Sequence, residues 1–311
     1  MNDNEDENDN DNENSSQLIT NRNIMKKILI TGTSGFVGSR VARALQERYE
    51  LLAPSRQECD ITRGEAVEAY VREHRPEAIL HLAAISNTGY CEQHPEESMR
   101  VNVQGVAHMA EAAQRYGCKL VWFSSDQVYN GNIELGPLAE DIAVCPENHY
   151  GRHKLLAEVE ALKICPDSVA LRATWMYDVR REGMPTHNNF VLNIDEALRQ
   201  QTTLRMATRE YRGITWVDEV VRNIPYTLDL PGGVYNFGAE NDLNTYDTAL
   251  KYLDMMGCST PNVVVPDNER FAEHVRNISI SMRKATEASG GAIRFASTVE
   301  GLRHFLGSVE R

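Results

Sequence analysis

No stretch of this 311-residue sequence holds the ~18 consecutive apolar residues that a membrane-crossing helix needs. The N-terminus also lacks the basic and apolar segments of a secretion signal, so the expectation is a soluble, cytoplasmic protein without a membrane partner. The six cysteines (Cys59, Cys91, Cys118, Cys145, Cys165 and Cys258) form no CxxC pair and show no even spacing. That removes both the zinc-site and the disulfide-framework readings and leaves reduced thiols. His149 and His153 stand four apart on an expected helix, but no third ligand lies near them, so no metal is expected. A basic surplus is missing too. The formal net charge is −13, which does not suit a nucleic-acid partner.

Much of that charge is local. Residues 1–24 carry seven acids and one arginine, a net −6, leaving −7 for the rest of the chain. The stretch MNDNEDENDNDNENSSQ is low-complexity Asn and acid with too little apolar surface to offset its ordering entropy. It is expected to be disordered, with the folded protein beginning near Met25. Overall the chain is 41% hydrophobic and 25% charged, enough to bury a full core.

From Met25 onward, short β-rich runs alternate with helical stretches: KKILIT, then 36–48; ELLAP, then 63–74; EAILHLAA, then 98–116; KLVWFSS, then 149–164; SVALRAT. The runs are apolar at consecutive rather than alternate positions, as strands buried on both faces of a parallel sheet require. The expected fold is a doubly wound α/β (Rossmann) sheet over 25–176 with a smaller C-terminal α/β substrate-binding lobe over 177–311. Some late segments are expected to return to the sheet. In the second lobe the pattern predicts a loop at 178–188, helices near 189–200 and 244–256, and a strand GGVYNFG at 232–238.

The first strand runs into ITGTSGFVG, with Gly32, Gly35 and Gly38 at three-residue intervals before a helical stretch. At a strand-to-helix junction, glycines let the backbone approach a pyrophosphate, and the helix N-terminus offers N–H groups and a positive dipole end. TGTSGFVG resembles the TGxxGxxG of the extended short-chain dehydrogenase/reductases, a family that also needs a Tyr-x3-Lys pair with a Ser or Thr upstream. Of twelve tyrosines only Tyr150 has a lysine four residues on, Lys154, a spacing that puts both on one helical face. A tyrosine of pKa ~10 is a poor acid-base group near neutrality, and an adjacent ammonium is expected to lower it. In the same resemblance, the Ser-x-x-Val-Tyr that ends the fourth strand assigns the carbonyl-binding hydroxyl to Ser125 and leaves Ser124 structural.

Several further segments narrow the resemblance: CDITRGEAVEAYVREHRPEAILHLAA, VNVQG, SSDQVYNG, PENHYGRHKLLAE, LRATWMY and NNFV are similar to the dTDP-4-dehydrorhamnose reductase family. That implies reduction of the 4-keto group of a nucleotide-linked deoxysugar, with Tyr150 as proton donor and Lys154 both tuning Tyr150 and binding the nicotinamide ribose. The resemblance places the cofactor against Gly32, Ser34, Gly35, Phe36, Val37 and Gly38, with Asp60 and Ile61 near the adenine. Leu82, Ala83 and Ala84 end the third strand beside it, and Asn102 is a helix asparagine near it. Substrate contacts fall on Ser86, Asp126, Gln127, Trp175, Asn189 and Arg212. After the second strand, Ser55 and Arg56 stand where an NAD-preferring fold usually has an acid, and a guanidinium suits a 2′-phosphate, so NADP is expected over NAD.

Two departures from the family pattern stand out. Ser125-Asp126-Gln127 replaces the usual Thr-Asp-Tyr, and Arg209-Glu210-Tyr211-Arg212-Gly213-Ile214-Thr215 replaces a DQxGxPT-like segment. Gln127 also removes the carboxylate base of related sugar-nucleotide dehydratases. A 4-epimerase, which needs only the Ser-Tyr-Lys set and a retained cofactor, stays open. So does a non-catalytic, NADP-binding regulatory subunit, such as the one that partners methionine adenosyltransferase in this branch. Family members often pair through helices, so a homodimer is an open expectation.

Overall fold

The computed structural model describes residues 26–259 and 262–309; the expectations placed on residues 1–25 lie outside the described residues. The first half of the chain alternates strands with helical segments: β1 (Lys27–Thr31), α1 (Phe36–Leu45), β2 (Glu50–Leu52), α2 (Gly64–His74) and β3 (Ala78–His81). It continues through α3 (Thr88–Gln93), α4 (Pro95–Met99), α5 (Gly105–Tyr116), β4 (Lys119–Ser125), α6 (His149–Ile164) and β5 (Val169–Ala173). A π-helical turn, Arg100–Gln104, joins α4 to α5 without a break in the helix.

The strands are apolar at consecutive positions because each of them feeds two cores. Ile28, Ile30, Leu80, Val121 and Leu171 pack on one face with Val41 and Leu45 of α1. Leu29, Ile79, Leu120, Trp122 and Ala170 pack on the other with Val67, Val71, Met109 and Ala157 of α2, α5 and α6. This is the doubly wound arrangement expected from the sequence.

Beyond β5 the chain forms β6 (Trp175–Tyr177), α7 (Phe190–Gln200), β7 (Leu204–Ala207), β8 (Glu210–Arg212), β9 (Ile214–Trp216) and α8 (Val217–Thr227). Then come β10 (Gly233–Phe237), α9 (Thr245–Met255), β11 (Val264–Asp267), β12 (Arg276–Ile278), α10 (Arg283–Ala288) and α11 (Thr298–Val309). β10 returns to the central sheet, whose order is β10-β5-β4-β3-β1-β2 with all pairs parallel. The other late strands form three two-stranded parallel ladders, β6 with β9, β7 with β11 and β8 with β12. A third core, built from residues such as Tyr177, Phe190, Trp216, Leu253 and Phe305, takes in the β6–β9 and β7–β11 ladders, while Ile278 of β12 joins the first core.

Progress through the sheet reverses between β1 and β3, which places a topological switch point at their C-terminal ends. A buried ion pair sets the adjoining strands against α6. Arg172 of β5 donates from Nε to Glu158 Oε1 at 3.0 Å and from Nη2 to Glu158 Oε2 at 2.7 Å. Ser124 Oγ of β4 donates to the same carboxylate at 2.5 Å, and Arg172 Nη1 donates to the Tyr129 hydroxyl at 2.8 Å.

Removing one member of such a pair strands a buried charge. Glu158→Ala should therefore lower unfolding free energy by about 3–5 kcal/mol, whereas Glu158→Met combined with Arg172→Met should recover most of it. Urea unfolding of the three proteins measures this; a double variant no better than the single one would contradict it.

Candidate active site

At the switch point the glycine turn and the end of β3 meet at close range. Gly32 has φ +76°, and a Cβ there would stand 2.6 Å from Ala83 N, so no other residue fits the turn. A Cβ on Gly38 would stand 2.1 Å from the Gly32 carbonyl oxygen, which lets α1 start directly against the turn. α1 begins after Gly35 with no side-chain cap and no acid in its first turn, while Ser34 and Gly35 are exposed. That is a helix N-terminus left open to an anion. Phe36 is buried edge-on to His187, and Val37 is half-buried beneath the same turn. Arg40 of α1 donates to Asp178 Oδ2 at 2.9 Å and to the Pro185 carbonyl at 3.0 Å, fixing the 178–188 loop across the helix.

The cofactor-side residues named from the sequence line this junction. Leu82 N and Ala83 N donate to Thr31 O and Thr31 Oγ1, both at 3.3 Å. Ala84 and Ser86 are exposed on the loop that follows. Asn102, fully buried in the π turn, clamps that loop: its Oδ1 accepts from Ile85 N and its Nδ2 donates to Ile85 O, both at 2.9 Å. Both ends of its amide are thereby engaged by the loop backbone. Past β2, Ser55 and Arg56 are exposed, and Arg56 Nε stands 3.8 Å from Asp60 Oδ2 with most of the guanidinium in solvent. Asp60 Oδ1 accepts from Thr62, and Ile61 is half-buried against Gly105. An uncapped helix N-terminus, a glycine turn too close for side chains and an exposed guanidinium after β2 fit an adenine dinucleotide phosphate.

Catalytic candidates come from β4 and α6. Asn148 caps α6 by accepting from Gly151 N at 2.7 Å, and the i, i+4 spacing then brings Tyr150 and Lys154 onto the face toward β4. Both are buried, and Ser125 ends β4 beside Tyr150. Burial pushes the Tyr150 hydroxyl above its usual range; the Ser125 hydroxyl beside it pulls the other way, and the Asp126 carboxylate adds to the rise. Burial also brings Lys154 down to about 8. Lys154 Nζ donates to the Phe123 carbonyl at 2.7 Å and stands 5.7 Å from the centre of the Tyr150 ring. The expectation that Lys154 would lower Tyr150 is corrected: the ammonium is anchored to the strand backbone, and loss of water around the phenol dominates.

The substrate-side residues divide. Asp126 is buried, its Oδ2 accepting from Arg212 Nη2 at 3.2 Å, and the Arg212 guanidinium lies 4.9 Å from the centre of the Trp175 ring. These three converge beside Ser125. Gln127 is buried with its amide engaged by protein groups. Asn189 does not face the cleft: it is fully buried, caps α7 through Leu192 N at 3.1 Å, and donates to Asp178 O and His187 O. A capping asparagine at the start of an apolar helix explains the NNFV pattern.

Sequence reasoning missed Asn148, which the helix-start rule for Asn before a periodic stretch could have found. It also missed Arg276 and Glu210, for which no local signal exists. Among the described residues, no group of three or more His, Cys, Asp or Glu is placed to hold a metal ion. None of the described helices is long and apolar enough to cross a membrane.

Fold and site together define a doubly wound α/β protein whose glycine turn at the switch point suits an adenine dinucleotide phosphate. More narrowly, the chain belongs to the RmlD substrate binding domain family, whose model matches residues 25–306. A dTDP-4-dehydrorhamnose reductase of Aggregatibacter actinomycetemcomitans is 28% identical over 239 residues, 74% of this chain and 79% of that protein. A dTDP-4-keto-6-deoxy-D-glucose reductase of Streptomyces niveus is also 28% identical, over 78% of this chain and 83% of its own. Among solved structures, dTDP-4-dehydrorhamnose reductase of Bacillus anthracis in complex with NADP superimposes with a TM-score of 0.80 at 22% identity, covering 91% of this chain and 99% of that one.

His81, at the end of β3, supplies a test of the buried site. Its Nδ1 shares a hydrogen with Thr31 Oγ1 at 2.7 Å, and burial beside Lys154 brings it from 6.5 to about 3. The folded-state value is depressed, so the stability it contributes is fully present above pH 6.5. That contribution falls as pH drops towards 3, because only the unfolded chain takes up the proton. Wild type should lose up to about 1.4 kcal/mol per pH unit more than His81→Asn across that window. Urea unfolding at stepped pH measures the two slopes, and equal slopes would contradict the assignment.

Proposed function

We propose that this protein uses NADPH to reduce the 4-keto group of a dTDP-linked deoxysugar. The convergence of Ser125, Tyr150 and Lys154 at the C-terminal end of β4, beside the switch point, carries this reading. The names of the relatives support the sugar class and the cofactor.

In this reading the reduced cofactor supplies the hydride when bound against the Gly32–Gly38 turn. The chain's own residues do the rest. Tyr150 keeps its proton at Oη, because burial holds the hydroxyl neutral, and gives it to the oxygen that gains charge. Ser125 Oγ–H turns to that same oxygen and fixes its position. Lys154, fixed on the Phe123 carbonyl, places positive charge near the tyrosine ring and would hold the nicotinamide ribose of a bound cofactor. Trp175 and Arg212 form the wall against which the sugar sits, with Ser86 on the opposite loop.

Tyr150→Phe removes the transferable proton and keeps the ring, so turnover should fall by about 10²-fold or more while NADPH affinity is unchanged. The assay is oxidation of NADPH against a panel of 4-keto nucleotide sugars, with cofactor binding titrated separately. A panel that consumes no cofactor, together with interconversion of two 4-hydroxy sugars, would replace the reductase by an epimerase. Cofactor binding without turnover on any sugar, but with a changed activity of an added partner enzyme, would replace it by a regulatory subunit.

For the cofactor, Arg56→Ala should weaken NADPH binding by about 10-fold, the worth of one charge-assisted hydrogen bond, and leave NADH nearly unaffected. Equal affinity for both cofactors in the wild type, unaltered by the substitution, would overturn the preference.

A further inference from the structure

Gln127 belongs to a hydrogen-bond chain whose direction is fixed at both ends. Arg276 of β12 donates from Nη2 to Gln127 Oε1 at 2.9 Å and from Nε to Asn130 Oδ1 at 3.0 Å, while Nη1 donates to Glu210 Oε1. Asn148 Nδ2 donates to the same Gln127 oxygen at 3.3 Å, since its own oxygen is already taken by Gly151 N. A guanidinium can only donate, so the Gln127 carbonyl must face Arg276 and its NH2 must face the other way. There Gln127 Nε2 donates to Asp126 Oδ1 at 3.3 Å. Ser125 Oγ also donates to Asp126 Oδ1, at 3.2 Å.

Ser125 has one proton and two takers: Asp126 and, during reaction, the substrate carbonyl. Asp126 competes less for that proton when its oxygens are served by other donors, Gln127 Nε2 on Oδ1 and Arg212 on Oδ2. From this geometry we infer that Arg276, through Gln127, is a positioning residue that frees the Ser125 hydroxyl for the substrate carbonyl. The inference rests on the reductase reading given above. Arg276 and Glu210 come from the second lobe, are mostly buried, and stand far in sequence from Gln127, so the carbonyl-binding hydroxyl of the first lobe is set from the second.

Loss of Arg276 alone leaves Glu210 a buried, unpaired carboxylate, which threatens folding. The test therefore pairs Arg276→Gln with Glu210→Gln and adds Arg276→Lys. In the 15N-labelled protein, the Gln127 side-chain amide is identified as the signal absent from Gln127→Ala. Wild type should show it protected from solvent exchange by its bond to Asp126. The double variant should lose that protection and lose about 10-fold or more in kcat at unchanged KM, a share of the roughly 10²–10³ that removal of a donor to a developing oxyanion costs. Arg276→Lys, which restores a donor to Gln127 Oε1, should recover part of both.

A raised KM with intact kcat would make Arg276 a direct substrate contact and overturn the proposal, as would an amide signal that the double variant leaves unchanged. If the wild type turns over no 4-keto sugar, the reductase reading falls, and the amide signal by itself decides whether Arg276 orients Gln127.

Discussion

Everything in this active site depends on how α6 is seated on β4, and the buried Glu158–Arg172 pair sets that seat. Tyr150, Lys154 and Glu158 follow one another at i, i+4 and i+8, so they form a single row along the helix. Three consecutive residues of β4 meet that row. Ser125 lies beside Tyr150, the Phe123 carbonyl accepts from Lys154, and Ser124 donates to Glu158. A rotation of α6 would break all three at once. Arg172 grips both carboxylate oxygens from β5 and makes that rotation costly, because any loosening exposes a charge to the apolar interior. Ser124, through its bond to Glu158, thus helps determine where Tyr150 stands.

A second constraint is the shortage of space at the switch point. The glycine turn after β1 touches the chain after β3 so closely that no Cβ is tolerated at Gly32. Asn102 holds the far side of that chain by both backbone groups of Ile85. Its own position depends on the π turn and on Ser98, to which its Nδ2 also donates at 3.1 Å. Ser98 in turn shares a hydrogen with His153 Nδ1 of α6 at 2.8 Å. The cofactor-side loop and the Tyr150 helix are therefore joined through one buried polar path, which keeps the two halves of the site in register.

The first half of the chain was legible in the sequence because its physics is local. Its strands carry consecutive apolar residues, and α6 runs over the same residues that its periodicity indicates, His149–Ile164. The Tyr150 and Lys154 pair was legible for the same reason, since their meeting needs only one helical turn. The three small ladders were not. β8 and β12 are three residues each and pair across more than sixty positions, with no alternation long enough to read. Arg276 was invisible because its partner Gln127 lies 149 residues away and nothing in HVRNISI marks a buried guanidinium. Asn189 was misread because an asparagine that opens a helix looks the same in sequence whether it caps the helix or faces a ligand. The pKa of Tyr150 was misjudged because spacing reports the neighbouring ammonium and says nothing of burial.

That last point bears on the proton that Tyr150 carries. Burial displaces its hydroxyl upward, which holds the phenol in the protonated form. The residues around it agree. Asp126 sits close enough to disfavour a second negative charge on the phenol, and Lys154, drawn down to about 8, holds its charge less firmly than an exposed lysine. A glutamate at position 127 would face the Arg276 guanidinium on one side and Asp126 on the other, so it would be neutralised by an ion pair rather than free to remove a proton. The site as built places one buried hydroxyl on Tyr150 and a second, on Ser125, beside it at the end of β4.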